Sequence, residues 1–193
     1  MRKRSLRDLA GLESDDQFLD ELSRVDTKHN GIDFHERPHP LGMLGGLCVL
    51  HFDVASEGIW KFLDQSEGAG FHETVSWCKQ LGAHRTVEYL TAVAALYPRG
   101  KVPTDDSARA QVLMDVQDET GGIDSPDAFT LLDRTYRDDV IAEIPRCLRA
   151  YLKQYHEEIE QARREVLVRS TAAKIHASLR SWTRWRASRS LTG

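Results

Sequence analysis

Leu44–Ala55 is apolar almost all the way round a helix, with only glycines, His51 and Asp53 interrupting it. A helix of that kind has no face to offer water, so it predicts a central buried helix around which the rest of the chain must pack. The surrounding segments have the period to do so. Leu12–Val25 sets Phe18, Leu19 and Leu22 against Asp15, Asp16, Asp20 and Glu21. Phe71–Leu81 is amphipathic through Phe71, Val75 and Cys78, with Gly82 placed to cap it. Thr86–Tyr97 carries a stripe of Val87, Leu90, Val93, Ala94 and Tyr97, and Pro98 stops it. Thr104 is placed to cap a helix running towards Met114. Ser125-Pro126 starts another over Asp127–Asp138, and Lys28–Gly42 reads as an irregular loop. No stretch shows a run of alternating strand residues. The expected fold is all-α: a single multi-helix domain over residues 8–166 with an appended basic helix or tail over 167–193.

That boundary rests on the last helical stripe. Leu148, Leu152, Tyr155, Ile159, Ala162 and Val166 alternate steps of four and three, with Pro145 in the first turn, whereas Val168, Ala172, Ile175, Leu179 and Trp182 form an offset continuation. Charge divides the chain at nearly the same place. Between Asp8 and Glu160 the net charge is −15, the first seven residues carry +4 and the C-terminal tail +7, so the whole-chain value of −4 conceals an acidic body between two cationic arms. Such a body is poorly suited to holding nucleic acid and well suited to occupying the basic surface of a protein that does.

From residue 54 to residue 136 the order of motifs resembles a family of uncharacterised bacterial helical domains named after the C-terminal domain of a DNA-mimic protein. Ser56-Glu57-Gly58-Ile59-Trp60-Lys61-Phe62 stands where the family has Asn-Gly-Gly-Phe-x-Gln-Phe, matching strictly at Gly58 and Phe62. Leu81-Gly82-Ala83 is similar to the family's turn into its next helix. Tyr97–Pro103, with Pro98 and Pro103 and followed by Arg109, resembles its aromatic-Pro-x-Gly-x-x-Pro loop. Leu132-Asp133-x-x-Tyr136 resembles its Leu-Asp-x-x-Tyr helix. The resemblance implies an all-helical fold and protein binding in place of catalysis; in the namesake, acidic side chains present a phosphate-like pattern to a DNA-binding protein. Read physically, these residues are scaffold. Gly58 permits a tight turn at positive φ, Trp60 and Phe62 bring large buried areas, and Asp133 and Tyr136 sit where they tie their helix to a neighbour.

Two surfaces are candidates for function. Asp115, Asp118 and Glu119 have the i, i+3, i+4 spacing that gathers side chains on one helical face, ~5–6 Å apart at Cβ, comparable to successive phosphates. Asp105 and Asp106 lie on the same segment, and Asp124 and Asp127 follow across Gly121-Gly122. These seven are expected to meet a basic protein partner, either a transcription factor displaced from DNA or a toxin held by its immunity protein. The competing reading of the same charges is solubility. In the tail, Arg180, Trp182, Arg184, Trp185 and Arg186 form a basic aromatic cluster. It suits docking on an acidic surface (the chain's own or a sister subunit's, in a homodimer) or direct contact with nucleic acid or an anionic membrane.

Catalytic and cofactor chemistry has no motif to rest on. His35 and His39 are separated by Pro38, His51 and Asp53 point to different helical faces, and His72-Glu73 lacks a further ligand, so no metal site is expected. Cys48 and Cys78 have no paired base, Gly42–Gly46 lacks the Lys-Ser/Thr ending of a phosphate loop, and no small-molecule substrate or cofactor is indicated. Cys48, Cys78 and Cys147 are odd in number and widely spaced, which fits a reducing, cytoplasmic compartment. Met1–Arg7 is followed by acidic Glu13–Asp16 where a signal peptide would be apolar.

Overall fold

The apolar segment is the centre of the molecule. In a computed structural model, which describes residues 6–27, 40–119 and 128–165, it forms a helix over Leu41–Ser56 with eleven of its sixteen residues buried. In order, the helices are α1 (Leu6–Leu9), α2 (Asp15–Thr27), α3 (Leu41–Ser56), α4 (Ile59–Asp64), α5 (Phe71–Gln80), α6 (His84–Ala94), α7 (Asp106–Glu119) and α8 (Ala128–Thr135). A π-helical turn over Tyr136–Val140 leads to α9, residues 143–165. Every regular element among the described residues is helical, so the fold is all-α. Helices α2, α4, α5 and the π turn pack on α3. The expected boundary at Val166 and the appended tail lie outside the described residues.

Several elements differ from expectation for identifiable reasons. Helix α3 begins at Leu41, so Gly42 is helical and buried instead of closing a loop. The inward face of α6 is turned towards Thr86 and Tyr89, both buried, while Val87 and Ala94 are only half-buried. A carboxylate causes this: Glu143 of α9, itself buried, accepts from the Thr86 N–H at 2.7 Å, the Thr86 hydroxyl at 2.8 Å and the Arg85 N–H at 3.3 Å. It thereby completes the open N-terminus of α6 from across the structure. The cap of α7 is Asp105, not Thr104, since Asp105 Oδ1 accepts from the Ala108 N–H at 2.8 Å. Trp60 is half-buried, stacked edge-on against Phe129 at 5.4 Å, whereas Phe62 is fully enclosed. The turn after α8 is wider than an α-helix, with the Ile141 N–H bonded to the Tyr136 carbonyl. Tyr136 and Val140 of this turn are buried, as are Ile144, Leu148 and Leu152 along α9.

The motif residues form the joints between these helices. Gly58 has φ +92°, and a Cβ there would lie 2.2 Å from Asp133 Oδ2. Asp133 Oδ1 accepts the Ile59 N–H at 2.8 Å, capping α4 from α8. Tyr136 reaches a different neighbour, with its hydroxyl 3.1 Å from Nδ1 of His51 on α3. Arg109 is completely buried. Its Nε donates to the Leu63 carbonyl, Nη1 to those of Pro103 and Thr104, and Nη2 to the Gln65 carbonyl and the Asp106 carboxylate, at 2.6–3.2 Å. One guanidinium therefore clasps the end of α4, the proline loop and the start of α7.

Two outcomes follow from these joints. Arg109→Lys keeps the charge but replaces a planar set of five donors with three, and should lower the unfolding free energy by about 2–4 kcal/mol in urea denaturation. Gly58→Ala combines left-handed strain with a clash and should cost about 2–4 kcal/mol. In an Asp133→Ala background only the strain remains, so a double-mutant cycle should show strong coupling.

Candidate protein-binding surface

The acidic residues singled out in the sequence divide between structural and outward-facing roles. Asp105 and Asp106 are exposed, yet the first caps α7 and the second pairs with Arg109 at 2.6 Å. Asp115, nine residues beyond Asp106, is exposed and accepts from Gln111 Nε2 at 2.8 Å. Asp118 and Glu119 belong to the last turn of α7, where their side chains are outside the described set. Asp124, Asp127 and the tail residues Arg180, Trp182, Arg184, Trp185 and Arg186 lie outside the described residues. The structure thus places Asp105, Asp106 and Asp115 along one exposed helix.

A second acidic face lies on α2, where Asp15, Asp16 and Asp20 are exposed. Asp15 holds Arg149 of α9 at 2.7 Å, while Arg149 also donates to the Leu12 carbonyl and lies 4.4 Å over the Phe18 ring. Asp20 pairs with Arg24 at 2.7 Å, an exposed contact worth ~0.3–0.5 kcal/mol. Such pairs fix side chains without removing the excess of negative charge. A third face was missed in the sequence. Glu157, Glu158 and Glu165 stand on α9 beside the half-buried Tyr151 and Tyr155. The signal was present, since Tyr151, Tyr155, Glu158 and Glu165 recur at helical spacing along the flank of the stripe that defined the helix.

The titratable groups of the interior are arranged for packing. Burial pushes the Cys78 thiol up to about 12 and raises Cys147, the reverse of what an activated thiolate needs. Tyr89 and Tyr136, 5.2 Å apart, are raised by burial as well. Cys48, Cys78 and Cys147 are free thiols and all buried. His72 Nε2 lies 3.0 Å from the Val102 carbonyl, linking α5 to the proline loop. Among the described residues no group of three His, Cys, Asp or Glu side chains could hold a metal ion, and no helix is long and apolar enough to cross a membrane.

An all-helical body with interior joints at Gly58–Asp133 and Arg109 is the class of protein that the fold defines. The DMP19-like protein family matches residues 36–164, well over half of the chain, and the chain belongs to that family. No curated protein and no solved structure matches it.

His51 supplies a pH test of the interior. Burial lowers its pKa below the ordinary 6.5, against the opposing pull of Asp16 and Asp15. The unfolded chain therefore takes up that proton first, so this contribution to stability is complete above pH 6.5 and is lost as pH falls below it. His51→Gln should flatten the decline in stability between about pH 6.5 and 5, measured by urea unfolding at each pH.

Proposed function

We propose that this protein is a non-catalytic binding domain whose acidic surface engages and inhibits or regulates a basic, DNA-binding protein. The observation that carries the reading is the net charge of −15 between Asp8 and Glu160, on a helical body where Asp15, Asp16 and Asp20 of α2 and Asp106 and Asp115 of α7 face outward. Family membership adds to it, because the sequence motifs resemble a family named after a DNA-mimic protein. Asp105, Asp106, Asp115, Asp118 and Glu119 would steer a cationic cleft by long-range attraction and hold it in place of a phosphate backbone. Asp124 and Asp127, which follow in the sequence across Gly121-Gly122, would contribute to the same contact. The partner is a transcription factor displaced from its operator or a toxin, commonly a nuclease, neutralised by its immunity protein. The three free buried thiols suit the reducing cytoplasm in which such a partner would be met.

Affinity capture from the native lysate with the full chain should retain a basic protein that salt releases. Combined Asp115→Asn and Asp118→Asn should lower the association rate on the order of tenfold at low ionic strength and flatten its salt dependence. Binding indifferent both to ionic strength and to the double substitution would sink the mechanism. A toxin gene beside this one would select the immunity reading.

A further inference from the structure

A groove of about 860 Å³ runs along α9 from Cys147 to Glu165, walled on one side by Leu81 at the end of α5. Its floor is aromatic: the Tyr151 and Tyr155 rings lie 4.7 Å apart and tilted by 37°. Its rim carries the carboxylates of Glu157, Glu158 and Glu165, and no Lys or Arg among the described residues lines it. An aromatic floor with an acidic rim is complementary to a helix that is apolar on one side and cationic on the other. Tyrosine faces also attract guanidinium groups directly.

We propose that this groove is the seat of the chain's own residues 167–193. They carry six Arg or Lys and no Asp or Glu, with Ala172, Ile175, Leu179 and Trp182 at helical spacing. The dimensions agree. The groove covers eighteen steps of α9, about 27 Å at 1.5 Å per residue. The described part of α9 ends at Glu165, at the end of the groove, so a reversal just beyond it would lay a helix of comparable length antiparallel along it. No linker has to cross the molecule, and tethering raises the local concentration of the tail to the mM range. The neighbouring sequence, residues 28–39, balances Lys28 and Arg37 against Asp33 and Glu36 and lacks this complementarity. This assignment concerns α9 and does not depend on what the α7 carboxylates bind.

Hydrogen exchange on the full chain tests it. In the wild type, amides across residues 172–186 should be protected, and Glu157→Lys with Glu158→Lys should speed their exchange at least about tenfold while α3 amides stay unchanged. High salt should act in the same direction. Equal tail exchange in both chains, or a change confined to residues 28–39, overturns the proposal. Protection that grows with protein concentration alongside a dimer in sedimentation assigns the groove to a second copy's tail and also overturns it. If the double charge reversal disturbs α3, Leu179→Asp with Trp182→Asp leaves the body untouched. Hydroxyl-radical labelling of Tyr151 and Tyr155 should then rise several-fold, and unchanged labelling rejects the seat.

Discussion

A guanidinium with no exposed surface is tolerable only when each of its N–H groups has an acceptor, and Arg109 meets that condition with five hydrogen bonds. The condition propagates outward. The carbonyls of Leu63 and Gln65 must turn inward at the end of α4, those of Pro103 and Thr104 must do the same before α7, and Asp106 must stand in the first turn of α7. Even the backbone beside the charge is constrained: a Cβ on Gly68 would lie 2.7 Å from Arg109 Nε and 2.6 Å from the Leu63 carbonyl oxygen. Helix α7 has few other fixed points, with Arg109 and Leu113 its only fully buried side chains among those described. The helix that displays Asp105, Asp106 and Asp115 is therefore held as much by a buried ion as by apolar contact.

Two further joints use carboxylates as helix caps supplied from a distance. Asp133 completes α4 and Glu143 completes α6, and both come from the arm formed by α8, the π turn and α9. Neither α4 nor α6 has a capping side chain of its own. Short helices of six and eleven residues are marginal alone. Here the positive end of each is docked against a fixed negative charge, which sets its angle as well as its stability. The acidic character of the chain thus serves the interior before any of it serves the outside.

The helices themselves were legible because burial leaves a periodic trace. The all-round apolar run marked α3, and the steps of four and three marked α9. The resemblance and local chemistry also located Gly58 correctly at a positive φ and linked Asp133 and Tyr136 to neighbouring helices. What escaped was pairing at long sequence separation. Glu143 with Thr86 and Arg149 with Asp15 join positions 57 and 134 residues apart, and nothing in either local pattern names the other. The rotated face of α6 follows from the first of these pairs. Thr104 and Asp105 are both good capping residues, so sequence alone had no physical ground to separate them. The acidic row was legible as charge, whereas the internal duties of Asp105 and Asp106 emerge only once Arg109 is seen in place.

The division between inward and outward carboxylates bears on how such a protein diversifies. Asp133 and Glu143 are committed to backbone amides, and changes there are paid for by the whole fold. Exposed positions such as Asp16 and Asp115 sit away from those joints, where substitutions usually alter stability by less than about 0.5 kcal/mol. The two sets can vary with little interference. A lineage can therefore rewrite the charge pattern of this surface one residue at a time, moving between partners, while selection on folding continues to see the same protein.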